Sequence, residues 1–157
     1  MTKDVLVSIS GLHMDMDAQI PGPDEDDVIE VVTPATYYSK NGKHYIIYDE
    51  VNEGFSETTR NIIKLNEDFM DITRRGVSNV HMMFEKNRKN VTYYYTPYGS
   101  LLIGIDAKSV DVQETENDID VKVNYELEVN YEHMADCCIT MNIKSKDAGD
   151  FRITGAE

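Results

Sequence analysis

The stretch Asp118-Ile119-Asp120-Val121-Lys122-Val123-Asn124-Tyr125-Glu126-Leu127-Glu128-Val129-Asn130-Tyr131 carries an apolar or aromatic residue at every odd position and a charged residue or Asn at every even one. Successive side chains of an extended chain point to opposite faces, so a period of two means one dry face and one wet face. The stretch predicts a long β-strand over residues 118–131. It sets the chain as all-β.

The same alternation recurs on both sides of it. Upstream, Leu101, Ile103 and Ile105 alternate, with Gly104 predicting a bend; downstream, Cys137, Ile139, Met141 and Ile143 share one face. Val5, Val7 and Ile9 form a first strand that ends near Gly11. A second run from Val28 to Tyr38 contains Pro34, which implies either an edge or a bulge, and a bulge would exchange the two faces on either side of it. Lys40-Asn41-Gly42-Lys43 then reads as a two-residue hairpin turn, because Asn-Gly tolerates positive φ at both central positions. That turn sets Tyr38 opposite Tyr45, Tyr37 opposite Ile46 and Ala35 opposite Tyr48. Ile29, Val31, Ala35, Tyr37, Ile46 and Tyr48 fall on the side expected to be buried. Val32, Tyr38, Tyr45 and Ile47 fall outward, an apolar patch where water is expected and hence a candidate interface.

The segment from Ser56 to Gly76 reads two ways. Ile62, Leu65, Phe69 and Ile72 fall at helical spacing between possible caps at Ser56 and Gly76. Asn61, Ile63 and Leu65 also alternate, as do Met70, Ile72 and Arg74, with Asn66-Glu67-Asp68 as a turn between them. After this come a short apolar run from Val80 to Phe84, a Tyr-rich run from Val91 to Thr96, and Thr96-Pro97-Tyr98-Gly99 with Pro and Gly where a type I turn prefers them.

Composition limits the partners. The chain has 157 residues, the size of one domain (1–157), and 29 Asp and Glu against 15 Lys and Arg give a formal net charge of -14. A polyanionic surface repels phosphate backbones and anionic headgroups, so neither nucleic acid nor a membrane surface is an expected partner. Lys86, Arg88 and Lys89, the densest basic cluster, read as a solvated turn. The acids concentrated in the loop over residues 12–27 (Asp15, Asp17, Asp24, Glu25, Asp26 and Asp27) lack the ligand offsets of a calcium loop. His13, His44, His81 and His133 lie at no metal-binding spacing, and no Ser-His-acid or Cys-His set assembles, so neither a metal, a cofactor nor a catalytic residue is expected. Cys137 and Cys138, adjacent on a strand, point to opposite faces and read as one buried and one exposed thiol. No basic leader with a long apolar run begins the sequence, which sets the expectation of a cytoplasmic protein.

Short strands joined by turns argue an antiparallel meander that closes into a barrel or folds into a sandwich. The residues Tyr37-Tyr38-Ser39-Lys40-Asn41-Gly42-Lys43-His44-Tyr45-Ile46-Ile47-Tyr48-Asp49-Glu50, then Arg74-Arg75-Gly76, Met82-Met83-Phe84-Glu85, Thr96-Pro97-Tyr98-Gly99-Ser100-Leu101 and Tyr125-Glu126-Leu127, resemble the YwiB-like family of bacterial proteins, from about Val5 to Lys144. The resemblance implies a domain of unknown function with a calycin-like, up-and-down β-barrel, the architecture of lipocalins and fatty-acid-binding proteins, and it makes Ser56 to Gly76 a hairpin. With no Trp in the chain, the Gly-X-Trp signature of lipocalins is absent. The tail from Ser145 to Glu157 lies outside the resemblance and reads as a loosely held end.

A barrel of about eight strands has room for packed side chains or one small ligand. The inward set is mostly Val, Ile, Leu and Met, with Tyr37, Tyr48, Tyr94 and Tyr125 as polar-tipped exceptions and Arg74 as the charged one. A desolvated guanidinium needs an anion or several acceptors. Either an internal partner supplies it, such as a Tyr oxygen, a carbonyl or an acid from a neighbouring strand, or Arg74 anchors the anionic end of a small amphiphilic ligand. The expected function is non-catalytic ligand binding in the barrel; the alternative is a protein-interaction module or homodimer using the outward face of the 28–49 hairpin.

Overall fold

Pairing of the first strand with the last turns the alternating strands into a barrel. In the computed structural model, which describes residues 3–11, 30–51, 58–76 and 79–146, ten strands run in chain order. They are β1 (Asp4–Ser10), β2 (Glu30–Lys40), β3 (Lys43–Val51), β4 (Thr58–Leu65), β5 (Phe69–Arg75), β6 (Val80–Glu85), β7 (Arg88–Thr96), β8 (Gly99–Glu114), β9 (Asp118–Val129) and β10 (Glu132–Ser145). The sheet order is β6-β5-β4-β3-β2-β1-β10-β9-β8-β7, every pair antiparallel. Each strand pairs with its neighbours in the chain, except that β1 pairs with β10 and the circle parts between β6 and β7. That seam is held by reciprocal backbone hydrogen bonds between Asn79 and Tyr95 (2.7 and 2.8 Å) and by the Asn90 side-chain amide, which donates to the Met83 carbonyl at 3.2 Å. The protein is an up-and-down, nearly closed antiparallel barrel, with ten strands where about eight were expected.

The inner face is dry. Val5, Val7, Ile46, Ile63, Met70, Phe84, Ile103, Val123, Ile139 and Ile143 are all fully or almost fully buried, and Phe84 meets Tyr125 edge-on at 5.0 Å between ring centres. The outer face of β9 carries Asp120, Lys122, Asn124, Glu126 and Glu128. A barrel that spans a bilayer is apolar outside, the reverse of this arrangement. Among the described residues no helix is long and apolar enough to cross a membrane.

Asn41 and Gly42 both have positive φ (54° and 77°), and the hairpin they close pairs Tyr38 with Tyr45 and Tyr37 with Ile46, as the turn demands. The expected pairing of Ala35 with Tyr48 does not form: the ladder between β2 and β3 ends at Thr36 opposite Ile47. Pro34 explains the arrest. Tyr37 N–H donates to the Lys3 carbonyl on the β1 side, so the even positions of β2 turn their backbone groups toward β3. The N–H that Pro34 lacks therefore belongs to the β3 side, where pairing has stopped, while the ladder to β1 continues through Pro34 opposite Leu6. The edge reading holds locally, and no bulge exchanges the faces.

Other positions differ from expectation for equally local reasons. Gly104 does not bend β8; its pairing runs on to Val91 and Glu128, and a Cβ there would crowd the Glu128 side chain at 3.1 Å. The irregularity comes instead between Ala107 and Ser109. Tyr131 is not in the dry series: Asn130 and Tyr131 have positive φ (50° and 71°) and form the β9–β10 turn, leaving Tyr131 exposed. Ser56 to Gly76 contains a hairpin, with the Asn66 side-chain oxygen accepting from the Asp68 and Phe69 N–H groups at 2.8 and 3.1 Å across its turn. Ser145, read as the start of the tail, is the buried last residue of β10. The acidic loop over 12–27 and the tail from residue 147 onward lie outside the described residues.

The alternation of β9 yields a direct test. Val123→Asp places a carboxylate at a fully buried position, at a cost of several kcal/mol against the ~5–15 kcal/mol that stabilise a domain. Asn124→Asp, on the wet face next door, is expected to change stability by less than about 0.5 kcal/mol. Urea unfolding followed by circular dichroism checks both; equal tolerance at the two positions would contradict the assignment.

Candidate functional site

Polar side chains enter the barrel at two places. At the end formed by the hairpin turns, Tyr37 Oη lies 2.6 Å from His44 Nδ1, and His44 Nε2 lies 3.3 Å from Glu114 Oε1. His44 and Tyr37 are diagonal neighbours on β3 and β2, whereas Glu114 ends β8, with β2, β1, β10 and β9 between it and β3 along the sheet. The chain Tyr37, His44, Glu114 thus links opposite walls across the mouth of the barrel. Burial, and secondarily the Glu114 carboxylate, raise the Tyr37 pKa above its ordinary value, so the phenol stays protonated at neutral pH.

The second group lies toward the opposite end. Tyr48, Asn61, Arg74 and Val80 are direct cross-strand partners, one row over β3, β4, β5 and β6 on the inner face, and all four are buried. Glu50, two residues beyond Tyr48 on the same face, reaches back into this row. Its Oε1 accepts from Arg74 Nη1 at 2.6 Å and from Asn61 Nδ2 at 2.9 Å, while the Asn61 side-chain oxygen accepts from Arg74 Nη1 at 3.3 Å. Burial first, then the Glu50 carboxylate, push the Tyr48 phenol up to about 12, with Arg74 pulling the other way. Arg74 is 8 % exposed, yet its Nε is buried with no hydrogen-bond partner.

Of the interior candidates read from sequence, the structure brings Arg74 and Tyr48 together and places the other tyrosines elsewhere. Tyr37 belongs to the cross-mouth chain. Tyr94 and Tyr125 are buried in the apolar core, and burial together with the neighbouring Cys137 raises the Tyr125 pKa well above its ordinary value. Cys137 is buried and Cys138 exposed, both free thiols. Glu50 and Asn61 were missed, although the alternation of Ile46, Tyr48 and Glu50, and of Asn61, Ile63 and Leu65, points both inward. Arg74 has an internal acid partner, so its charge is already compensated.

The outward hairpin candidates keep their face. Tyr38 and Tyr45 stack at 4.8 Å with rings 5° from parallel, Val32 is 57 % exposed, and Ile47 is half-buried. Across β9 and β10, Glu126, His133 and Asp136 gather on the outer surface. There His133 already bonds Asp136 at 3.0 Å and Lys108 lies 3.7 Å from Glu126.

The polar row makes an asymmetric prediction. Glu50→Ala leaves a buried guanidinium without a counter-charge, the situation that costs ~3–5 kcal/mol. Arg74→Met leaves a carboxylate that is more than a third exposed and can turn to water, so the loss falls toward the ~1 kcal/mol of solvent-screened pairs. Denaturant unfolding of the two variants checks the order; an Arg74→Met variant destabilised as much as Glu50→Ala would contradict it.

No curated protein matches the sequence. Among solved structures the chain is similar to the crystal structure of ywiB protein from Bacillus subtilis, at 20% identity over 91% of this chain and 92% of that one, with a TM-score of 0.74. At that identity the likeness is one of fold. Residues 14–141 match the family described as "Domain of unknown function (DUF1934)". With most of its length covered by that match, and the barrel shared with ywiB protein, the chain belongs to the DUF1934 family of domains of unknown function.

Proposed function

We propose that this barrel binds, without catalysis, a small apolar ligand whose anionic end is held in the interior by the row Tyr48, Asn61 and Arg74. The observation that carries the reading is Arg74 Nε, a donor buried without an acceptor on the inner face of the barrel. Leaving such a donor unsatisfied costs about 1–3 kcal/mol, and an acceptor supplied by a ligand would recover it. Ten strands enclose a wider interior than eight. The lining includes Met70, Met82 and Met141, side chains that re-pack readily around an apolar guest. A cytoplasmic setting belongs to this reading and accords with the two unpaired thiols.

A second reading, a homodimer formed through the outward face of the hairpin, is favoured by one observation: Val32 and Tyr38 stay exposed on the outward face of β2, with Tyr38 stacked on Tyr45. Stacking accounts for only part of that apolar surface.

Native mass spectrometry of the untreated protein tests both at once. The ligand reading expects a monomer carrying added mass that is released on denaturation and is lost in the Arg74→Met variant. A bare monomer that also takes up no added amphiphile would overturn it. A dimer that Tyr38→Ser combined with Tyr45→Ser converts to a folded monomer would support the second reading instead.

A further inference from the structure

If a carboxylate-ended ligand uses the polar row, its place is already taken. Two donors from adjacent strands, Arg74 Nη1 and Asn61 Nδ2, converge on the single oxygen Oε1 of Glu50, and Arg74 Nε stands beside them without an acceptor. That is a receptor for a carboxylate, with more donor capacity than the present occupant uses. The donors are the buried members of the group: Asn61 is 1 % and Arg74 8 % exposed. The acceptor is not, since the Glu50 side chain is 38 % exposed.

Glu50 also sits on a wall with reduced backbone pairing. Beyond Ile47 the strand β3 has lost its ladder to β2 and pairs only with β4, and Glu50 lies three residues past that point. Its side chain can therefore leave the row for solvent without breaking a second ladder. Only an anion can replace it, because a neutral guest would leave the Arg74 charge buried and uncompensated.

We propose that Glu50 is an internal stand-in for the ligand's carboxylate, a competing occupant that an incoming carboxylate-ended amphiphile displaces from Arg74 and Asn61. This rests on the ligand reading above and deepens it in two ways. It names the ligand class as a carboxylate on an apolar chain. It also makes Glu50 a residue that limits affinity.

The experiment is calorimetric titration of dodecanoate, with dodecanol as the uncharged probe of the same chain length, into wild type and the Arg74→Met, Glu50→Gln and Glu50→Asp variants. Removing the competitor's charge in Glu50→Gln is expected to tighten dodecanoate binding by about tenfold or more, and Arg74→Met to weaken it by about as much. Glu50→Asp, which keeps the charge but withdraws it by one methylene, is expected to bind dodecanoate more tightly than wild type and serves if Glu50→Gln does not fold. Dodecanol affinity should not follow these changes. If neither wild type nor the Glu50 variants bind dodecanoate, or if Arg74→Met binds it as wild type does, the ligand reading itself fails. If Arg74→Met loses binding while neither Glu50 variant binds more tightly than wild type, the ligand reading stands and the stand-in role of Glu50 is wrong.

Discussion

The pairing of β1 with β10 is the constraint on which the structure depends. Among the described residues, the other backbone links between the two meanders, β1 to β6 and β7 to β10, are the short turn at Lys86 and Asn87 and the single bridge between Asn79 and Tyr95. Val5 opposite Ser145, Val7 opposite Ile143 and Ile9 opposite Met141 align the dry faces of the two halves, and a shift of one residue would turn Val5, Val7 and Ile9 outward. The ladder runs from the first residues described to the last strand, so the barrel depends on contacts that are remote in sequence.

Closure at β1 has a consequence one strand away. β2 must serve β1 along its whole length, and Pro34 allows this because its missing N–H is turned toward β3. Pairing between β2 and β3 is therefore confined to the hairpin end, and the second half of β3 hangs on β4 alone. The polar row lies beside this half-anchored wall. At the other end of the barrel, the chain Tyr37, His44 and Glu114 crosses the mouth. The two ends thus differ physically: one is tied across by side chains, and the other presents a buried cation next to a wall with reduced backbone pairing.

Much of this was legible in the chain because strand alternation and turn chemistry are local. The dry face of β9, the Asn41-Gly42 turn, the opposition of Tyr38 and Tyr45, and the inward Arg74 all follow from residues within one hairpin of each other. What could not be read depends on which strands meet. The pairing of β1 with β10, the meeting of Glu114 with His44, and the arrest of the β2–β3 ladder are set by tertiary closure, for which no local periodicity exists. Glu50 is the instructive case. Its alternation with Ile46 and Tyr48 marks it as inward, but a lone acid at a strand end reads as solvated until the register places Asn61 opposite Tyr48 and Arg74 opposite Asn61. Tyr131 errs the other way: it continues the period of β9 in sequence but falls in a turn, where left-handed backbone takes it off the face.

Native-state hydrogen exchange resolved by residue tests this account most directly. If the β1–β10 ladder closes the barrel and the end of β3 is its loose wall, the hydrogen-bonded amides of β1 and of Ile139 to Ile143 exchange only through global unfolding, with protection equal to the full stability, while the Tyr48 to Val51 amides that face β2 exchange through local opening at much lower cost. Exchange of β1 as fast as that of the β3 end, or protection of the β3 end as high as that of β1, would contradict it.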